Sequence, residues 1–388
     1  MQGKSKPDVK NTMQLHSQAK VKFYEEYLTR YLRILYKSSF IKNINIYDIF
    51  CGAGIYDDGK AGSPVVAYHA IKEVFYENNR IKKVSLHLND GDKNRIKKVQ
   101  HLLDAENEKN KCCDIHYYNQ QAADLLSQFK TLIGQSKKEE RNLIFIDPYG
   151  YKDINKEIID DLMGNKHTEI ILFLPISQMY RFTSYALDNP SLNPYKPLND
   201  FICSFFAAKH PIIRQEELTI LQYISFLREA FTYNSKYYAT SYHIERNKNH
   251  YFSLFFLTSH LYGLEKILEV KWELNEVNGS GFNLPTQQLN LFAEFEAEEE
   301  QRKIITAFEN ELKEYLKQQR TNNEVYRFTL LHEFLPKHVN QILIQWQNLN
   351  RLNVIDAKTK NPARRKSFYI SYENCKDTVC PKVYIQSI

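Results

Sequence analysis

The 388-residue sequence predicts a two-part α/β chain. An open, mostly parallel sheet flanked by helices and closed by an antiparallel hairpin comes first, and a smaller helix-rich unit follows. Three observations predict it. Five short apolar runs alternate with helical or polar segments, the pattern of a doubly wound sheet. Two longer strand-like runs, Tyr237 to Glu245 and Tyr251 to Leu257, flank the polar turn Arg246 to His250. A break rich in glycine and asparagine, Asn275 to Pro285, then separates these elements from a new series.

In chain order, residues 1–14 are polar and read as a loose N-terminus. Val21, Tyr24, Tyr27, Leu28, Tyr31, Leu32 and Leu35 recur at helical spacing and predict a helix from Met13 to Tyr36, with its lysines and arginines on the other face. The opening strand starts at Asn45, and the next four strands are predicted at Val84 to Leu88, Ile115 to Tyr118, Leu143 to Ile146 and Glu169 to Leu174. About residues 176–236 the chain is helical and too long for a simple crossover, a candidate substrate lid. The first domain is thus expected at 15–274 and a linker at 275–301, with the acidic stretch Glu294 to Glu300 inside it. The second domain, 302–388, is expected to run helix, strand (Val325 to Phe328), brief helix (Thr329 to Phe334), longer helix to Asn350, basic hairpin, strand (Phe368 to Tyr372). That is the layout of a winged helix.

Composition narrows the class. Hydrophobic residues make up 43% and charged residues 25%, ordinary for a globular protein, while 27 Tyr and 23 Phe imply many half-exposed rings. The net charge of +6 is spread along the chain, so the position of charge matters more than its sum. Six cysteines show neither paired zinc spacing nor the density of a secreted disulfide scaffold. No signal peptide opens the sequence and no apolar run approaches the roughly 18 residues of a membrane span, so the expected compartment is the cytoplasm.

The chemistry is expected on one sheet edge. In D-I-F-C-G-A-G, Asp48 to Gly54, the glycines Gly52 and Gly54 let the backbone turn sharply and approach a ligand. With Asp48 and Phe50 they form a candidate nucleotide cradle. One strand later Asp90 is placed to bind two ribose hydroxyls, and Asp92 to cap the next helix; capping is also the alternative for Asp90. Residues 55–62 are an inserted loop expected to fold over the ligand, and the following helix is expected to start with Ser63 as cap and Pro64 at its first position. Asn119 and Gln120 end the third strand, placed for an adenine edge or as plain loop residues. The fourth strand ends in D-P-Y-G, with Asp147, Pro148 and Tyr149 as candidate catalytic residues. A carboxylate and a backbone carbonyl can accept the two protons of an exocyclic amino group, and an aromatic ring can hold the base flat. No metal site is expected.

D-I-F-C-G-A-G, G-S-P at Gly62 to Pro64, I-D-P-Y-G-Y at Ile146 to Tyr151 and Y-F-S-L-F-F-L-T-S-H from Tyr251 together resemble the three-Cys-motif partner protein family, over most of residues 15–275. The resemblance implies a class I (Rossmann-like) methyltransferase-like fold, whose strand plan is five parallel strands and a terminal hairpin, with S-adenosylmethionine as cofactor. It also implies an operon-encoded neighbour that carries the three cysteines. D-P-Y-G further resembles the fourth motif of tRNA guanine N2-dimethyltransferases, and is similar to the D-P-P-Y motif of amino-methylating enzymes without its second proline.

In the second domain, Lys358, Lys360, Arg364, Arg365 and Lys366 fall in the expected wing, suited to phosphate contacts. The preceding helix offers Lys337, His338, Asn340, Gln341, Gln345 and Gln347. DNA or RNA is the expected partner. Gln288 to Phe292, Q-L-N-L-F, resembles the peptide by which bacterial DNA enzymes bind the replicative sliding clamp; alternatively Leu291 and Phe292 pin the linker to its own domain. The leading expectation is a nucleic-acid methyltransferase, in a defence or repair operon, acting on a base amino group. The second is a non-catalytic nucleic-acid-binding partner that uses the same fold as a scaffold, and a protein methyltransferase is the third.

Overall fold

The computed structural model describes residues 12–78, 82–148, 150–247, 250–283, 293–376 and 380–388. Tyr149 and the segment Gln288 to Phe292 lie outside the described residues. The chain divides into two compact units, one of residues up to Ser259 with a short return at Phe282–Leu284, the other holding His260–Gly281 and Pro285–Ile388.

The first unit runs α1 (Leu15–Lys37), β1 (Asn43–Asp48), α2 (Ser63–Glu77), β2 (Lys83–Asn89), α3 (Lys93–Asn110), β3 (Asp114–Tyr118), α4 (Ala122–Gly134), β4 (Glu140–Ile146), α5 (Lys156–Met163), β5 (Thr168–Leu174), α6 (Ile176–Asp188), α7 (Lys196–Phe205), α8 (Ile220–Thr232), β6 (Tyr238–Asn247) and β7 (His250–Thr258). Each strand expected in this unit is present. The sheet order is β3-β2-β1-β4-β5-β7-β6, with the short strand β8 (Gly281–Asn283) at the edge. Strands β1 to β5 pair in parallel, and β7 runs antiparallel to both β5 and β6. The chain is therefore a mixed α/β protein built on a large, mostly parallel sheet.

Alternation along the strands sorts the two faces. Tyr47 of β1 and Ile49 just after it, Ile144 and Ile146 of β4 and Ile170 and Leu172 of β5 pack into one core with α4, α5 and the helices α6 to α8 of the insertion. On the other face α1 lays Tyr24 flat on Phe145, ring centroids 4.4 Å apart, and sets Tyr27 edge-on to Phe256. Both tyrosines are fully buried, so their rings are wholly removed from water.

The second unit contains α9 (Leu261–Leu274), α10 (Ala293–Tyr315), β9 (Arg320–Thr321), α11 (Asn322–Leu331), α12 (Pro336–Asn348), β10 (Leu352–Asp356), α13 (Tyr372–Cys375) and β11 (Val383–Ser387). Its sheet order is β10-β11-β9, all antiparallel. The layout differs from the sequence expectation at four points. Helix α9 groups with this unit: Glu265 accepts from the Tyr326 hydroxyl at 2.6 Å, and the Trp272 indole donates to the Glu333 carbonyl at 2.9 Å. An apolar stripe at helical spacing does not say which core it faces. Helix α10 starts at Ala293, so the acidic stretch forms its first turns, where carboxylates suit the helix dipole. Val325 to Phe328 is helix, because Thr321 and Glu324 form a reciprocal capping box that starts α11 just before it. Phe368 and Ile370 are buried in alternation, as a strand would have them, but Tyr369 between them has φ +55°, which breaks extended backbone; the third strand is β11.

Candidate functional site

A cavity of about 720 Å³ opens at the carboxyl ends of β1 and β4 in the first unit, where open α/β sheets bind their ligands. Its walls come from three places: the turn Phe50 to Tyr56 with Gly62 and Ser63, the start of α1 with His16, Ser17 and Lys20, and Asp147 with Pro148. Arg95 and Arg246 also line it.

The glycine turn is shaped by backbone. Gly52 and Gly54 have φ of +65° and +83°, the left-handed region that favours glycine. A Cβ on Gly54 would sit 3.2 Å from Val99 Cγ2, whereas one on Gly52 would meet nothing within 4 Å, since that position faces open space. The Gly52 N–H donates to Asp90 Oδ2 at 3.1 Å and the Asp92 N–H to Asp90 Oδ1 at 2.8 Å. Arg95 Nη1 stands 3.6 Å from the same Asp90 Oδ2. Asp90 thus braces the turn from a nearly closed position, 3% exposed, while Asp92 caps α3 by accepting from Asn94 N.

Asp48 ends β1 fully buried. Its Oδ1 accepts from Phe50 N at 3.3 Å and its Oδ2 has no hydrogen-bond partner among the described residues. Burial pushes its carboxyl up to about 7; the Asp147 charge adds to this, while the Ser63 hydroxyl and the Phe50 N–H oppose it. Helix α2 starts one residue earlier than expected, with Gly62 as cap and Ser63 its first residue. The loop before it folds back on itself, Tyr56 N to Lys60 O and Gly62 N to Gly54 O, and puts Ile55 and Tyr56 in the cavity wall. Asp58 Oδ2 accepts from Met13 N at 3.4 Å, tying the loop to the chain just before α1.

Asn119 and Gln120 stand apart from this cavity. The Asn119 amide donates to the Asp90 carbonyl at 2.9 Å, and the Gln120 side-chain oxygen accepts from Gln128 at 2.9 Å. Beneath them the buried Asn89 bridges the Ile49 and Gln120 carbonyls, so the ends of β1, β2 and β3 are joined by one amide.

The cavity wall around Asp147 holds what the sequence reading missed. Lys20, expected with the other basic residues on the solvent face of α1, is buried and forms an ion pair with Asp147 Oδ2. Its ammonium also lies 4.6 Å from the centre of the Phe173 ring. His16, one turn earlier, stacks on Phe252 at 4.7 Å with planes 5° apart, and Phe252 stacks in turn on Phe173. Burial, then Arg246 and Lys20, hold the His16 imidazole down to about 4 against the Asp147 charge, so it is neutral at pH 7. A usable signal was present. Phe145 and Asp147 are two residues apart and share a sheet face, and Lys20 and Tyr24 are four apart and share a helix face, so docking Tyr24 on Phe145 carries Lys20 to Asp147.

In the second unit Lys337, Gln341 and Gln345 are exposed at four-residue spacing along one face of α12. The loop after β10 carries Lys358, Lys360, Arg364, Arg365 and Lys366, all exposed, and the Lys366 N–H donates to Gln347 Oε1 at 2.8 Å, which fastens the loop beside α12. Three other helix residues serve structure instead. His338 packs edge-on against Trp272 at 4.4 Å and accepts from Leu335 N, the Asn340 amide reaches the Ile370 carbonyl, and Gln347 holds the loop.

Residues 283–359 match the family described as a GMT-like wHTH domain, and the chain thus carries a GMT-like winged helix-turn-helix in its C-terminal part. No curated protein matches the chain. Among solved structures the chain is similar to "StiE O-MT residues 942-1257", at 11% identity and a TM-score of 0.20, over 58% of this chain and 72% of that one. Among the described residues no helix is long and apolar enough to cross a membrane.

Proposed function

We propose that the chain is an S-adenosylmethionine-dependent methyltransferase-like protein that acts on a nucleic acid, at an exocyclic amino group of a base. The observation that carries this reading is the single cavity that joins the glycine turn of β1 to Asp147 and Pro148 at the end of β4. The sheet order, with β7 antiparallel between β5 and β6, is the strand plan of class I methyltransferases. The residues fit the cofactor. The cavity volume suits a ligand of its size, Gly52 leaves open space where a side chain would intrude, and Arg95 and Arg246 offer charge to a carboxylate. Phe50, Gly52 and Gly54 would hold the cofactor with Asp90 bracing the turn, and when bound it supplies an electrophilic methyl group on sulfur.

The chain's own residues supply the rest. Asp147 accepts an N–H of the target amino group and the Pro148 carbonyl accepts the second. Closing Ile55 and Tyr56 over the cavity excludes water. Exposed cations beside α12 hold the phosphate backbone, in keeping with the winged helix-turn-helix match.

The test is calorimetric titration with S-adenosylmethionine, then incubation of DNA and RNA strands with methyl-labelled cofactor. Saturable heat and labelled nucleic acid are expected; absence of heat, with and without nucleic acid, overturns the enzyme reading. The loop can be tested separately. Replacing Arg364, Arg365 and Lys366 by Ala together should lower the slope of log affinity against log salt by roughly 2.7 on duplex DNA, measured by fluorescence anisotropy. A second reading, a non-catalytic nucleic-acid-binding partner, is favoured by one observation: Lys20 already occupies Asp147 Oδ2.

A further inference from the structure

Resting on the base-methylation reading, we infer that Lys20 and Asp147 together read the base edge on which an exocyclic amino group stands beside a ring nitrogen, as in cytosine and adenine, with Lys20 donating to the ring nitrogen.

The argument is one of hydrogen-bond capacity. Lys20 is 8% exposed, yet it lines the cavity. An ammonium has three donors, and the partners of Lys20 among the described residues are Asp147 Oδ2 and the Phe173 ring. Asp147 keeps Oδ1 without a partner among the described residues, on a side chain 24% exposed in the same cavity. An acceptor and a donor therefore stand side by side, joined by their own ion pair, which fixes their spacing. The complementary partner is a donor next to an acceptor. Cytosine presents N4–H beside N3, and adenine presents N6–H beside N1 or N7; uracil and thymine have no amino group to offer.

Lys20 is a specificity residue in this arrangement, since a buried ammonium facing a base without the ring nitrogen is left with an unpaired donor. The neutral His16 ring, backed by Phe252 and Phe173, gives the base a flat wall on the same side.

The experiment uses the whole chain and thymine-only single strands that carry one central cytosine, 3-deazacytosine, adenine, 1-deazaadenine or 7-deazaadenine, with binding read by fluorescence anisotropy. Wild type should bind the cytosine strand about tenfold more tightly than the 3-deazacytosine strand, and one of the two deaza-adenines should lose affinity similarly. Lys20→Met should bind each natural and deaza pair equally while keeping calorimetric affinity for S-adenosylmethionine. Equal binding of natural and deaza strands by wild type overturns the inference and leaves the base-methylation reading standing. No preference for any strand over thymine alone overturns both. The analogue series on wild type needs no variant, so a poorly folded Lys20→Met, recognised by its melting curve, does not obscure the result.

Discussion

The two walls of the cavity are built by different means. The wall proposed to hold the cofactor is backbone: a turn with two left-handed glycines, braced where Asp90 accepts the Gly52 and Asp92 N–H groups. The wall proposed to face the target is side chain: Lys20 on Asp147, and His16 on a pile of phenylalanines. A backbone wall changes only with a change of fold, whereas a side-chain wall can be altered one residue at a time. A fixed cofactor with an adjustable target is the division of labour this predicts.

The largest expected effect separates the walls. Asp147→Ala should lower the rate of methyl transfer by at least about 100-fold while calorimetric affinity for S-adenosylmethionine stays within a few-fold of wild type. A parallel loss of both would show the walls to be one unit. Next comes the acid beneath them. The Asp48 carboxyl rises from its ordinary value to about 7 in the folded chain, so the stability its proton brings is complete below about pH 4 and is lost as pH rises through 7, up to about 4 kcal/mol. Asp48→Asn should remove that slope, so its melting temperature relative to wild type should climb between pH 5 and 8. His16 works with the opposite sign, because its pKa is lowered to about 4: the unfolded chain takes up its proton first, and stability falls as pH drops from about 6.5 to 4. The smallest effect sharpens the backbone wall itself. Gly54→Ala should cost about 2–3 kcal/mol in chemical denaturation, through strain and contact with Val99, and Gly52→Ala about 1–2 kcal/mol, through strain alone.

The same division explains what could be read in advance. The glycine turn and the strand ends carrying Asp90 and Asp147 are local patterns, and the alternation of apolar runs located the strands of the first unit. The Lys20 and Asp147 pair spans 127 positions and depends on which ring α1 lays on Phe145, a docking choice that no short window contains. In the second unit composition and capping point to different structures, and capping prevails. Val-Tyr-Arg-Phe at 325–328 has strand composition, but the Thr321 and Glu324 box decided for helix. From sequence His338 is a free helix donor, whereas its ring packs on Trp272, which the sequence places in the first domain.

That reassignment of α9 bears on how the chain comes apart. Glu265, Lys271 and Trp272 reach Tyr326 and Glu333, so α9 belongs to the cooperative folding unit of the winged helix. In native-state hydrogen exchange its amides should be released together with those of α11 and α12, and not with β7. A fragment meant to carry the winged helix alone should begin near residue 260, because one beginning at 285 leaves the Tyr326 hydroxyl without its carboxylate and the Glu333 carbonyl without its donor.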